Sequence, residues 1–144
     1  MADELSIVMY HYVRPITTSK YKKIKGLELD GFVRQLDYLE ENFNIVSSEE
    51  VIAATKSLVK LPQKACWLTF DDGYKDHYEY VLPELLRRNL TAAFFPPRDA
   101  IKNSKMLSVN SIHYILACSD DIYKLVLDLD SLCLQSGISD NELD

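Results

Sequence analysis

"LTFDDGYKDHYEY", residues 68–80, sets two aspartates side by side at the end of a short apolar run. The run that leads into them, "ACWLTF" (65–70), reads as a buried strand. Gly73 follows at once, a residue that turns the chain where others cannot. In parallel α/β folds functional groups collect at the C-terminal ends of strands, and Asp71 and Asp72 fall at such an end. Neighbouring carboxylates repel, so holding both ionised is costly unless a cation or a proton separates them. Acids also stand in such places simply to cap free backbone N–H groups. Here the strand, the glycine and the apolar run together favour a functional pair.

Upstream, "SIVMYHYV" (6–13) is nearly continuous in apolar and aromatic residues and predicts a strand buried on both faces. A polar loop runs from Pro15 to Gly26. Leu29, Phe32, Val33, Leu36, Leu39 and Phe43 recur at helical spacing and predict an amphipathic helix over 29–42. A brief strand at "NIVS" follows. Ser47 and Glu50 then form the S-x-x-E pattern of a capping box, which starts a second helix at Ser48 with Val51, Ile52 and Leu58 inward.

Downstream of the aspartates, Pro83 suits the first turn of a helix carrying Leu85 and Leu86. Asn89 suits the left-handed position that ends it. "TAAFFPP" predicts a fourth strand, stopped by its prolines. The order β-α-β-α-β-α-β calls for an α/β fold, a parallel sheet with crossover helices. Then the rhythm changes. Val109, Ile112, Ile115 and Leu116 predict a helix capped by Ser108. Ile122, Leu125, Val126, Leu129, Leu132 and Cys133 predict another, with Asp120 and Asp121 at its positive N-terminal end. The closing "GISDNELD" is polar, and no repeat or interdomain linker interrupts the chain.

The 144 residues suffice for one domain, and 47% hydrophobic content supports a packed core. A net charge of -6, with Lys22, Lys23 and Lys25 the only tight basic cluster, argues against nucleic acid and against an anionic membrane surface as partner. Cys66, Cys118 and Cys133 form no CxxC pair and read as buried reduced thiols. No apolar stretch approaches the ~18 residues of a membrane span, and acids stand where a signal peptide has its positive region. A soluble, cytoplasmic chain is the expectation.

"TFDDG" resembles the first motif of the polysaccharide deacetylase family, the NodB homology domain of carbohydrate esterase family four. "MYHYV" and "LPELLRRNLTAAFF" are similar to that family's first strand and its helix–strand continuation. The resemblance covers residues 5–97, and 98–140 read as a helical insertion. It implies an irregular (β/α) barrel, here partial and followed by the helical segment. It also implies a metal-dependent hydrolase that removes N-acetyl or O-acetyl groups from carbohydrate, the former by cleaving a non-peptide carbon–nitrogen bond. By that match Asp71 would be the general base and Asp72 a ligand to a divalent metal, commonly zinc. From position alone, Tyr74, just after the motif, would border the saccharide, and His11, near the end of the first strand, would either line the same substrate pocket or be a hydrogen-bonded core histidine.

The same resemblance asks for two more metal ligands, a pair of histidines about four residues apart. His11, His77 and His113 are the only histidines, and none lies within four residues of another. His77 is expected to face solvent or cap the following helix, and His113 to pack within its own. A barrel usually takes about 250 residues, and four strands alone leave two open sheet edges. Residues 1–144 are therefore expected to be the N-terminal portion of a longer deacetylase, inactive alone. Two other readings compete. One is a non-catalytic, sugar-binding or degenerate deacetylase-like module, with Tyr10, Tyr12 and Tyr74 available for stacking. The other is a receiver-like phosphotransfer domain, whose paired acids would hold Mg²⁺. The latter needs a later strand ending in lysine, where this sequence has only helices.

Overall fold

The computed structural model describes residues 4–137. The expected end of the helical insertion, 138–140, and the rest of the polar tail lie outside the described residues, as do the first three.

The strand that ends in the acidic motif, β5 (Ala65–Asp71), is the centre of a parallel sheet. Along one edge β1 (Leu5–Tyr10) pairs with it from Leu5–Ala65 to Tyr10–Phe70. The other edge is shared by two short strands. β4 (Asn44–Ile45) lies beside Ala65–Cys66, and β6 (Ala93–Phe95) lies beside Thr69–Asp71. The crossovers are α1 (Leu29–Asn42), α2 (Ser48–Thr55) and α3 (Leu82–Arg87). The β-α-β-α-β-α-β order of the sequence is therefore found, as part of a barrel rather than a closed one.

α1 spans the predicted residues because its apolar stripe has a sheet to cover. Phe32, Leu36 and Leu39 are buried against Tyr10, Cys66, Leu68 and Phe70, with Val81 and Leu85 closing the cluster. Burying such side chains contributes about 1.5–3 kcal/mol each. The capping box at α2 is present: the Glu50 N–H donates to Ser47 Oγ at 3.2 Å, and the Ser47 N–H to Glu50 Oε2 at 2.8 Å. Asn89 adopts φ 55°, ending the helix as its residue type suggests.

Other expectations change. The first strand stops at Tyr10, and only one face is fully covered: Ile7 and Met9 are more than half exposed. α1 and α3 cover the opposite side; on this side Leu5 and Trp67 pack with Val51 of α2, whereas Ile7 and Met9 stay exposed. Val13–Arg14 (β2) and Leu27–Glu28 (β3) form a separate parallel pair that brackets the predicted loop. α2 ends at Thr55, one turn early, leaving Ile52 and Leu58 exposed. Cys66 alone of the three cysteines is buried.

Three helices follow β6: α4 (Arg98–Asn103), which the sequence pattern did not suggest, α5 (Ser108–Cys118) and α6 (Ile122–Gln135). Asp121 caps α6, accepting from the Lys124 N–H at 3.1 Å. Ser108 does not cap α5; it is the first helical residue, and Leu107 takes the cap position without a side-chain bond. Among the described residues no helix is long and apolar enough to cross a membrane.

Candidate active site

Asp71 is the last residue of β5, held in the ladder opposite Phe95. Its neighbours Asp72 and Gly73 both adopt left-handed backbone, φ 69° and 60°. Aspartate tolerates that region better than most residues, and glycine enters it freely. Gly73 is required for a second reason: a Cβ there would lie 2.6 Å from Pro96 Cβ. The turn is thus pressed against the prolines that stop β6. Asp71 and Asp72 are each half-buried.

The Tyr74 hydroxyl donates to Asp72 Oδ2 at 2.5 Å. That phenol has one proton, so its other neighbour, the Asn110 amide at 2.8 Å, meets it best through the NH₂ group. Tyr12 stacks on Tyr74, ring centroids 4.1 Å apart, and its hydroxyl lies 3.2 Å from the Asn110 amide. Burial, then the hydrogen-bonded Asp72 carboxylate, pushes the Tyr74 hydroxyl far above its ordinary range. Tyr74 is therefore a fixed neutral donor that orients Asp72.

Asn110 belongs to α5, which lays a stripe of Asn110, Tyr114 and Ala117 over the motif. The apolar set expected to pack, Val109, Ile112, Ile115 and Leu116, faces outward instead. The reason is chemical: the surface that α5 covers carries phenol hydroxyls and a guanidinium, which need hydrogen-bonding partners. Arg14 supplies the guanidinium. Its Nε donates to Asp76 Oδ2 at 2.5 Å and its NH2 group to the Tyr114 hydroxyl at 3.1 Å. It thereby ties β2, the turn after the motif and α5 together.

His77 is buried, not solvent-facing. Its Nε2 lies 2.8 Å from the His11 carbonyl, which can only accept, so Nε2 carries the proton. Nδ1 is buried without a partner. Burial holds its pKa below the ordinary value, and a neutral ring meets this surrounding best. The ring opens a wide π-helical turn, His77–Val81, that leads into α3. The His11 side chain is exposed at the end of β1, and its backbone carbonyl is what supports this region. His113 is likewise exposed rather than packed, with Nδ1 3.5 Å from the Tyr12 hydroxyl.

Of the four residues singled out from sequence, Asp71, Asp72 and Tyr74 share one turn, and Tyr74 touches Asp72. His11 stands at the neighbouring strand end. Asn110, Arg14 and Asp76 were missed. The polar Asn110 at helical spacing from Tyr114 and Ala117 was the available signal for the first.

A catalytic zinc takes three protein ligands and a water. Among the described residues no three His, Cys, Asp or Glu side chains gather in one place. Asp72 Oδ2 is moreover occupied by Tyr74. The residues present do not make a zinc site by themselves.

This geometry, an Asp-Asp-Gly turn ending a parallel strand, falls in a segment similar to a known class. Residues 59–118 match the family model described as polysaccharide deacetylase. The match begins after the first strand and runs to the end of α5, so it includes Asn110 and His113. Among solved structures the chain is similar to a de-N-acetylase from Aggregatibacter actinomycetemcomitans (28% identity, TM-score 0.56), covering 64% of this chain and 37% of that one. It is also similar to IcaB from Ammonifex degensii (28% identity, TM-score 0.58; 70% and 41%). The Streptococcus pyogenes deacetylase PplD, solved in complex with acetate, shares the fold at 24% identity and TM-score 0.57 (75% and 50%). The chain thus spans half or less of the length of these three proteins. No curated protein matches it significantly. The resemblance to the polysaccharide deacetylase family, and to the partial (β/α) barrel it implies, stands.

Proposed function

We propose that this chain is the N-terminal portion of a metal-dependent, cytoplasmic carbohydrate deacetylase and carries one half of its site. The observation behind this reading is the TFDDG turn at the end of a parallel strand, inside the segment that matches the deacetylase model. In this reading Asp71 is the general base. It takes a proton from the water that attacks the acetyl carbonyl. The bond from that carbonyl carbon to nitrogen then breaks, the amine leaves with a proton, and acetate and a free amino sugar are released. Asp72, oriented by Tyr74, is one ligand of a divalent metal, zinc first among candidates, whose other ligands come from outside the described residues. His11 and Tyr74 border the saccharide.

The non-catalytic, sugar-binding alternative loses two of its three stacking rings. Tyr10 and Tyr12 are both buried, Tyr10 between Phe32 and Phe70, and burial pushes its hydroxyl up to about 12.

A zinc titration of residues 1–144 tests the half-site claim. Binding weaker than micromolar is the expected result, because one carboxylate is too few ligands. Micromolar or tighter binding that Asp72→Ala abolishes would mean the chain holds a whole site.

A further inference from the structure

Beyond the acidic motif, α5 forms one wall of a cavity of about 560 Å³. The basic cluster Lys22, Lys23 and Lys25 lines it, facing His113, Ala117 and Ser119 of α5 and its end. We propose that this cavity binds the phosphate group of a phosphorylated acetylated saccharide, so that the deacetylase's substrate is a sugar phosphate rather than a neutral glycan. The choice of saccharide rests on the deacetylase reading; the anion contact does not.

The cluster is held in place. The Ile24 N–H donates to the Tyr21 carbonyl at 3.1 Å, closing a turn, and the Ile24 side chain is buried beside Tyr12 and Ala117. With Ile24 anchored, the backbone of the lysines on either side is held beside the cavity. The acid at its rim, Asp120, pairs with Lys23, which also donates to the Ser119 carbonyl at 3.0 Å. Lys22 and Lys25 have no acidic partner among the described residues. They leave two positive charges at one cavity of a chain whose net charge is -6. A phosphate monoester carries about -1.5 to -2 at neutral pH, which matches them, and lysine is a point-charge phosphate binder.

Position links the cavity to the site. His113 lines it and lies 3.5 Å from the Tyr12 hydroxyl, while Tyr12 stacks on the Tyr74 that binds Asp72. His113 and Asn110 are three residues apart on α5, about 4.5 Å along the axis at 1.5 Å per residue.

The test is calorimetric titration of the full chain at low salt with inorganic phosphate, N-acetylglucosamine 1-phosphate and N-acetylglucosamine. The sugar phosphate should bind more tightly than either other probe. Lys22→Ala with Lys25→Ala should weaken both phosphates, by roughly fivefold per lysine, while the outlying Lys60→Ala leaves them unchanged. All three lysines are exposed, so these variants keep the fold. No phosphate binding, or binding indifferent to the double variant, would overturn the anion site. Neutral sugar binding as tight as its phosphate would overturn the proposal and leave the deacetylase reading intact. Sugar phosphate binding no better than inorganic phosphate would overturn the saccharide half of the proposal and leave the deacetylase reading intact.

Discussion

At the scale of single residues, the acidic turn depends on backbone as much as on charge. Gly73 combines φ 60° with a Cβ-sized gap already filled by Pro96. Gly73→Ala should therefore cost about 2–4 kcal/mol, from left-handed strain and overpacking together, read as a lower urea midpoint. His77 makes a second prediction. Its folded pKa lies below the ordinary 6.5, because burial disfavours the imidazolium. The unfolded chain then binds the extra proton first as pH falls through 6.5, so stability is full above that value and declines below it. Thermal melts between pH 7.5 and 5.5 should show the loss, and His77→Gln should flatten it. Asp76 pulls the opposite way, its carboxyl raised by burial and partly restored by Arg14, but in the window above 3.8.

At the scale of elements, α1, α2 and the strand order were legible because each is written in local pattern: a helical stripe, a capping box, short apolar runs. Asp71 and Asp72 were legible for the same reason. The face of α5 was not. Periodicity selects the greasiest stripe, Val109, Ile112, Ile115 and Leu116, whereas the packed stripe of Asn110, Tyr114 and Ala117 is chosen by phenols and Arg14 far away in sequence. His77 escaped likewise, since its acceptor is a carbonyl 66 residues upstream. The exposed face of β1 was illegible too, because an apolar run does not say how many layers will cover it. One experiment checks the account of α5. Asn110→Ala removes the amide that both the Tyr12 and Tyr74 hydroxyls meet, and should cost about 1–3 kcal/mol. Hydrogen exchange should then rise in α5 while β5 stays protected; uniform exchange across both would contradict this docking.

At the scale of the molecule, two facts point the same way. The sheet has an open face bearing Ile7, Met9 and Phe95, and the chain spans half or less of the deacetylases it resembles. The proposed function is therefore a claim about the protein as its source organism makes it. Its most direct test is acetate release from an N-acetylated saccharide panel, sugar phosphates included, by that native-length protein and its Asp71→Asn variant. Removing a general base typically costs about 10²–10⁴-fold. The account predicts acetate in step with free amine from the native protein, and a loss of that size in the variant. Acetate release that survives Asp71→Asn, or none from the native protein with any acetylated saccharide, would contradict it.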